Sequence, residues 1–150
     1  MEDLGCGLLP SILYRQAMTE ILKKDGTKFK FLLVDDSRFA RMGLGKIVEQ
    51  VGGEIIGEAT SGEEALRRFE DLKPDVVTMD MSLPDTDGIT LVRRFVGMNP
   101  RVLIVLISGI SHEEVIEEAL RTGAEHFISK PLNLDKAVEI LRWVLQESDV

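Results

Sequence analysis

Hydrophobic and polar positions follow two different periods along this chain. Short runs that are nearly continuous in Val, Ile and Leu recur between longer segments whose apolar residues have helical spacing. Runs of the first kind are typical of parallel strands buried on both faces, and the longer segments are typical of amphipathic helices. The runs predict five strands, at 29–34, 54–59, 75–79, 102–107 and 126–129. The segments between them predict five helices, at 38–51, 63–72, 89–96, 113–121 and 134–145.

Polar residues mark the starts of these helices. Ser37 and Asn133 precede the first and fifth helices, and S-x-x-E capping boxes begin at Ser61 and Ser111. Such side chains accept hydrogen bonds from the free N–H groups of a first helical turn. Because strands and helices alternate strictly, the sequence predicts an α/β fold of (βα)5 type. We expect a doubly wound parallel sheet with the flavodoxin-like strand order 2-1-3-4-5.

Residues 1–28 stand outside this alternation. Leu13, Ala17 and Ile21 fall on one stripe, so the pattern predicts an extra amphipathic helix at 11–24. We therefore predict an N-terminal extension at 1–28 and one α/β domain at 29–147. The predicted helix can pack on the domain's own surface, contact a partner or a second copy, or belong to a disordered tail.

Composition narrows the class of protein. The chain has 150 residues, 44% of them hydrophobic, and a net charge of −8 without a basic cluster, which disfavours direct nucleic-acid binding. Its one cysteine, Cys6, cannot form a disulfide within the chain. No apolar run is long enough to span a membrane, and Glu2 and Asp3 replace the basic start of a signal peptide. We expect a cytoplasmic protein without membrane insertion.

Chemically active residues follow the predicted strands at the point where each strand ends. Asp35 and Asp36 follow the first strand, Asp80 the third, Ser108 the fourth and Lys130 the fifth. The carboxyl ends of parallel strands share one edge of the sheet, and ligands bind there at the topological switch point. We therefore expect three carboxylates, a hydroxyl and an ammonium group to converge.

Adjacent carboxylates repel one another unless a cation lies between them or water solvates them. Three oxygen donors without a cysteine or histidine at ligand spacing suit Mg²⁺ better than zinc. A lysine and a hydroxyl in the same place can bind phosphoryl oxygens. An aspartate can itself be the nucleophile and form an aspartyl phosphate.

These residues resemble the motifs of the response regulator receiver domain, of the CheY-like superfamily in two-component signalling. The resemblance covers roughly residues 29–147. Its motifs are V-D-D-S from Val34 with Arg41, D-x-x-x-P from Asp80 with Gly88, Ser108-Gly109, and Lys130-Pro131 preceded by an aromatic residue.

The resemblance implies a role for each residue of the acidic set. Asp80 is the expected phospho-acceptor. Asp36 and Asp80 are expected to bind Mg²⁺ directly, with the backbone carbonyl of Ser82 as a third protein ligand. Asp35 is expected to order the water around the metal. Lys130 is expected to pair with Asp80 and then with the phosphoryl group.

The resemblance also implies a switch. Ser108 is the expected switch hydroxyl, Phe127 is the coupled aromatic residue, and the peptide bond before Pro131 is expected to be cis. Phe127 stands where many members have Tyr, so any switching must work by packing and not through a phenolic hydroxyl.

The implied function is that of a phosphorylation-switched signalling domain. A sensor histidine kinase or phosphotransfer protein would phosphorylate Asp80, and the domain would later hydrolyse its own acyl phosphate without being a conventional enzyme. The face of the fourth helix, fifth strand and fifth helix would then control a downstream protein partner. A homodimer through this face or the N-terminal helix is possible.

The alternatives are a scaffold that works without phosphorylation and an Asp-dependent phosphohydrolase. The hydrolase normally shows D-x-D at its nucleophile, whereas Asp80 is followed by Met81 and Ser82. Flavin binding on this fold would need a phosphate-cradling loop after the first strand, where Asp35 and Asp36 lie. Few residues follow the last predicted helix, so we expect either a stand-alone receiver, chemotaxis-like or in a phosphorelay, or a fragment of a longer chain.

Overall fold

The computed structural model describes residues 20–109 and 113–150, in which five parallel strands alternate with five helices. The strands are β1 (Lys30–Val34), β2 (Glu54–Ala59), β3 (Val76–Asp80), β4 (Leu103–Ser108) and β5 (His126–Ser129). The helices are α1 (Arg38–Gln50), α2 (Gly62–Leu72), α3 (Gly88–Met98), α4 (Glu113–Thr122) and α5 (Leu134–Gln146). The sheet order is β2-β1-β3-β4-β5, which confirms the predicted flavodoxin-like α/β fold.

The sheet has a hydrophobic core on each face. Helices α1 and α5 cover one face, where Leu33, Ile47 and Leu141 are buried together. Helices α2, α3 and α4 cover the other face, where Phe69 and Phe95 stack with their ring centroids 4.7 Å apart. All residues of β3 and β4 are buried, as expected of central strands covered by helices on both sides.

The helix caps largely follow the sequence signals. Ser37, Ser61 and Asn133 each accept a hydrogen bond from a backbone N–H of the helix that follows. The cap of α3, which was not predicted, is Asp87, whose side chain accepts from the N–H of Thr90 at 2.8 Å. The capping box predicted at Ser111 lies outside the described residues.

The chain before β1 differs from the predicted helix at 11–24. Residues 11–19 of that helix lie outside the described part of the chain, but residues 20–24 are not helical. Here Leu22 forms an antiparallel bridge with Lys28, and the chain turns at Gly26, whose φ is +87°. The N–H of Ile21 donates to the carbonyl of Val51 at 3.0 Å. We call residues 20–28 the N-terminal arm.

The helix prediction is wrong at residues 20–24, because it rested on apolar spacing alone. The tertiary hydrogen bond of Ile21 and the glycine turn favour an extended arm instead. No helix in the described ranges is both long and apolar enough to cross a lipid bilayer.

Candidate functional site

The three predicted aspartates lie together at the carboxyl edge of the sheet. Val34 pairs with Met79 in the parallel ladder, so Asp35 and Asp80, one residue further along each strand, are neighbours. Asp35, Asp36 and Asp80 each offer a carboxylate oxygen within 4.8 Å of the others. Asp35 and Asp80 are 0% and 4% exposed, whereas Asp36 is open to solvent. The cluster is therefore a buried pair of carboxylates with a third at its solvent side.

Local hydrogen bonds orient the two buried carboxylates. Asp35 Oδ1 accepts from the N–H of Ser37 at 2.8 Å, and Asp80 Oδ1 accepts from the N–H of Ser82 at 2.9 Å. The Oδ2 atom of each carboxylate faces Lys130 instead. Lys130 Nζ lies 3.3 Å from Asp80 Oδ2 and 3.7 Å from Asp35 Oδ2. The lysine thus partly neutralises both acids.

Asp35 is the most deeply buried of the three carboxylates. Its Oδ2 atom is buried and accepts no hydrogen bond from any described residue. Burial is the main reason that the pKa of Asp35 is raised above its ordinary value, and the charges of Asp80 and Asp36 add to the effect. The Ser37 N–H and Lys130 act in the opposite direction. One further cation would relieve this repulsion.

These donors fit Mg²⁺. The three side chains offer only carboxylate oxygens, the ligands that a small hard cation prefers, and the buried Asp35 Oδ2 has an unused acceptor position. No cysteine or histidine belongs to this described cluster, so its donor set does not suit zinc. The structure places Ser82 beside Asp80 through their hydrogen bond, and the metal role of its carbonyl stays a prediction.

Lys130 and Ser108 are joined through the backbone. The N–H of Lys130 donates to the carbonyl of Ser108 at 2.7 Å, which links the loop after β5 to the end of β4. The Lys130–Pro131 peptide bond is cis. Ser108 is 8% exposed and follows Ile107, the register partner of Asp80. The structure therefore brings Ser108 to the strand end next to the acidic cluster.

Phe127 lies on a neighbouring cavity and not within the acidic cluster. Its half-buried ring packs against the core on the α2–α4 side of the sheet. The cavity has a volume of about 490 Å³, and its walls include Ser108, Lys130 and Phe127 together with residues of α4 such as Ile116. This cavity connects the acidic edge of the sheet to α4. The switch roles of Ser108 and Phe127 stay predictions.

The sequence motif contained Arg41, but its structural role was not predicted. The Arg41 guanidinium donates to the backbone carbonyl of Asp35 at 2.6 Å and pairs with Glu58 at 2.6 Å. It thereby ties the turn that holds Asp35 to the end of β2. Glu58 has no motif of its own, so only the pairing of β1 with β2 could have indicated this contact.

The strand order and the acidic cluster beside Lys130 place this chain among the CheY-like receiver domains. Sequence comparison agrees, because the profile of the response regulator receiver domain matches residues 31–142. The chain belongs to the response regulator receiver domain family.

Curated relatives and solved structures agree with this membership. The chemotaxis protein CheY of Thermotoga maritima is 38% identical over 115 residues, which cover 77% of this chain and 96% of the relative. CheY of Treponema pallidum is 33% identical over 126 residues, covering 83% of this chain and 88% of the relative. A crystal structure of a CheX–CheY–BeF3–Mg complex from Borrelia burgdorferi contains a similar chain, with a TM-score of 0.78 and 31% identity. That match covers 86% of this chain and 97% of the other.

Proposed function

We propose that this domain accepts a phosphoryl group on Asp80 and that the modification changes its binding to a protein partner. The donor would be the phosphohistidine of a sensor histidine kinase or of a phosphotransfer protein. The observation that carries the proposal is the setting of Asp80. Asp80 is 4% exposed, and its carboxylate lies 3.3 Å from the Lys130 ammonium and shares its site with two further carboxylates. This arrangement supports a phosphoryl acceptor better than a solvated residue at a strand end.

The transfer needs no separate substrate-binding pocket. An oxygen of Asp80 attacks phosphorus, the P–N bond of the phosphohistidine breaks, and its electron pair returns to the imidazole. The product is an acyl phosphate, whose oxygens Lys130 and the Ser108 hydroxyl would bind. A separate hydrolytic step restores the resting state: water attacks phosphorus and the P–O bond to Asp80 breaks, which releases inorganic phosphate. The domain catalyses both steps on itself and is not a conventional enzyme.

Asp36 and Asp80 would bind Mg²⁺ directly, with the carbonyl of Ser82 as a third protein ligand, and Asp35 would order the water around the metal. When bound, the metal supplies positive charge against the phosphoryl oxygens. The magnesium in the Borrelia CheY complex supports this assignment. Lys130 and the local N–H groups keep Asp80 oriented toward the incoming group.

The output would pass from Ser108 through the cavity wall at Phe127 to the face formed by α4, β5 and α5. Phosphorylation would shift the population of conformations of this face and so its affinity for an effector. The CheX partner of the Borrelia relative and the chemotaxis relatives support a protein effector in a chemotaxis-like pathway. Dimerisation through this face or the N-terminal extension, and a cytoplasmic location, stay predictions.

Intact mass after incubation with acetyl phosphate and Mg²⁺ tests the proposal. We expect the mass of one phosphoryl group to be gained by the wild type, and to be missing in Asp80→Asn and in the presence of EDTA. Thermal stabilisation by beryllofluoride, a stable phosphoryl mimic, would reveal an acceptor whose phosphoryl group is too short-lived for mass measurement. If the wild type shows no adduct and no stabilisation by beryllofluoride, the result favours the scaffold that works without phosphorylation.

A further inference from the structure

Asp85 caps a helix that does not follow it in the sequence. It lies in the loop between β3 and α3, yet its carboxylate binds the first turn of α2. Asp85 Oδ1 accepts from the N–H of Gly62 at 2.8 Å, and Oδ2 accepts from the N–H of Glu63 at 3.0 Å. The helix's own cap is Ser61, whose hydroxyl oxygen accepts from the N–H of Glu64 at 3.2 Å. Helix α2 thus has a local cap and a second cap supplied by the loop.

Close packing holds the same loop from two sides. Gly62 lies so near Thr86 that a Cβ atom at position 62 would overlap the Thr86 methyl group. On the α3 side, a Cβ atom at Gly88 would lie 2.5 Å from Met81 Sδ. The start of α2 and the start of α3 therefore both contact residues 81–87, and a side chain at either glycine would displace a residue of this loop.

This loop leads directly away from Asp80. The N–H of Ser82 donates to Asp80 Oδ1, and Leu83, 8% exposed, anchors the loop in the core. Only two residues, Leu83 and Pro84, separate Ser82 from Asp85. The loop is consequently attached to the acidic site at Ser82 and to α2 at Asp85. The two N–H bonds hold the pKa of Asp85 below its ordinary value, so its carboxylate is ionised at neutral pH.

We propose that Asp85 is a positioning residue for the acidic site. By binding the first turn of α2, it fixes the loop at 81–87, and through that loop the orientation of the Asp80 carboxylate and the Ser82 carbonyl. Helix α2 is thereby coupled to the site even though none of its described residues belongs to the acidic cluster. This role rests on the proposed function, because its purpose is Mg²⁺ binding and phosphorylation at Asp80.

Three variants separate positioning from simple helix capping. Asp85→Ala removes the cap that comes from the loop, Ser61→Ala removes the local cap of the same helix, and Asp85→Asn keeps one side-chain oxygen as an acceptor. For each full-length variant we would measure the Mg²⁺ dissociation constant by calorimetry, the phosphorylation rate with acetyl phosphate, and backbone hydrogen exchange in EDTA.

We expect Asp85→Ala to weaken Mg²⁺ binding about tenfold, the lower end of what loss of outer support for metal ligands commonly costs, and to slow phosphorylation. Asp85→Asn should recover part of that loss. Hydrogen exchange should rise at residues 81–87 in Asp85→Ala. Thermal unfolding should show a lower melting temperature for both Asp85→Ala and Ser61→Ala, because each loses a cap of α2. Ser61→Ala should nevertheless leave the Mg²⁺ dissociation constant and the exchange of residues 81–87 unchanged.

Gly62→Ala tests the same coupling from the α2 side. The added methyl group should push Thr86 and the loop away and reproduce the Asp85→Ala effect. The double variant Gly62→Ala with Thr86→Ser removes the clashing methyl group and should restore Mg²⁺ binding.

The positioning role is overturned if Asp85→Ala binds Mg²⁺ like the wild type, or if Ser61→Ala weakens binding equally at equal loss of stability. A wild type that neither binds Mg²⁺ nor gains a phosphoryl group refutes the proposed function, and the positioning role falls with it. A wild type that does both, beside an unaffected Asp85→Ala, refutes the positioning role alone.

Discussion

Two buried oxygen atoms near the acidic edge accept no hydrogen bond from any described residue, Asp35 Oδ2 and Thr78 Oγ1. A buried polar atom without a partner costs about 1–3 kcal/mol of folding free energy. For Asp35 that cost is partly offset, because its Oδ2 atom lies 3.7 Å from Lys130 Nζ in the proposed metal site. Thr78 lies two residues before Asp80 in β3, in register with Leu33 and Val105, and its hydroxyl has no such charged neighbour in the strand ladder.

We expect Thr78→Val to stabilise the domain by about 1 kcal/mol, because it keeps the side-chain shape and removes the unsatisfied hydroxyl. Urea unfolding followed by circular dichroism measures the change. Thr90→Val is the matched control. It should not stabilise the domain, because the Thr90 hydroxyl that it removes donates to Asp87 at 2.8 Å. A loss of stability in Thr78→Val would show that its hydroxyl has a partner in solution.

The raised pKa of Asp35 has a definite sign in the pH dependence of stability. Folding favours the protonated carboxyl, so the ionised Asp35 costs stability once the pH rises through its folded pKa. Below the ordinary pKa of about 3.8 the group is protonated in both states, and the cost disappears. In EDTA, Asp35→Asn should therefore stabilise the domain at neutral pH, and the gain should shrink toward pH 4.

Chemical unfolding at several pH values measures this gain. The exposed Asp36→Asn is the control and should gain less, because its side chain is not desolvated. A gain for Asp35→Asn that does not change with pH would contradict the titration argument. Added Mg²⁺ should remove the advantage of Asp35→Asn, since the wild type then gains binding free energy that the variant largely loses.

At the scale of single elements, local sequence signals predicted most of the fold. Strand β4 was predicted at 102–107 and lies at Leu103–Ser108. Its run of Val, Ile and Leu is shorter than a typical helix and rich in β-branched residues, which together indicate a buried strand. The contacts of Asp85 were not predictable. They join residues 22 and 23 positions apart in sequence, and no local pattern encodes which helix a loop carboxylate will meet.

The cap of α3 had a local signal that the helical pattern concealed. Asp87 precedes Gly88 and binds both the N–H and the hydroxyl of Thr90 at 2.8 Å. We expect Asp87→Ala to lower the unfolding free energy by about 1 kcal/mol, which thermal or urea unfolding would detect.

The pH dependence of this cap supplies a further check. The bonds to Thr90 lower the pKa of Asp87, so its contribution is present above the ordinary aspartate pKa and is lost as the pH falls through the lowered value. Asp87→Asn, which can still accept the N–H bond, should lose less stability than Asp87→Ala at neutral pH. Equal losses in the two variants would argue against the cap.

At the scale of the whole molecule, the N-terminal arm is part of the folded unit and lies at the edge of the sheet opposite to Asp80. Ile21 packs against the core beneath α1 and α5, and Lys23 pairs with Asp75 at 3.1 Å just before β3. The convergence of Asp35, Asp80 and Lys130 was predictable because strand order and strand ends determine it. The position of the N-terminal arm was not predictable, because the residues that it contacts, Val51 and Asp75, are distant from it in sequence.

We expect Ile21→Ala to destabilise the domain by about 1 kcal/mol, because part of a branched side chain leaves a core contact. Leu22→Ala, whose side chain is 47% exposed, is the matched control and should change stability little. Urea unfolding compares the two variants. Equal effects would indicate that the arm is not held against the core in solution.

The contacts at that opposite edge also have a practical consequence for building a reporter of phosphorylation. The carbonyl of Val150 accepts from the N–H of Lys24 at 3.3 Å, and the carbonyl of Asp149 accepts from Arg101, which precedes β4. Ser108, the last residue of β4, is at the other edge, roughly 20 Å away for a strand of six residues. A fluorescent protein fused after Val150 would therefore begin far from the carboxylates and leave the approach of a phosphoryl donor open.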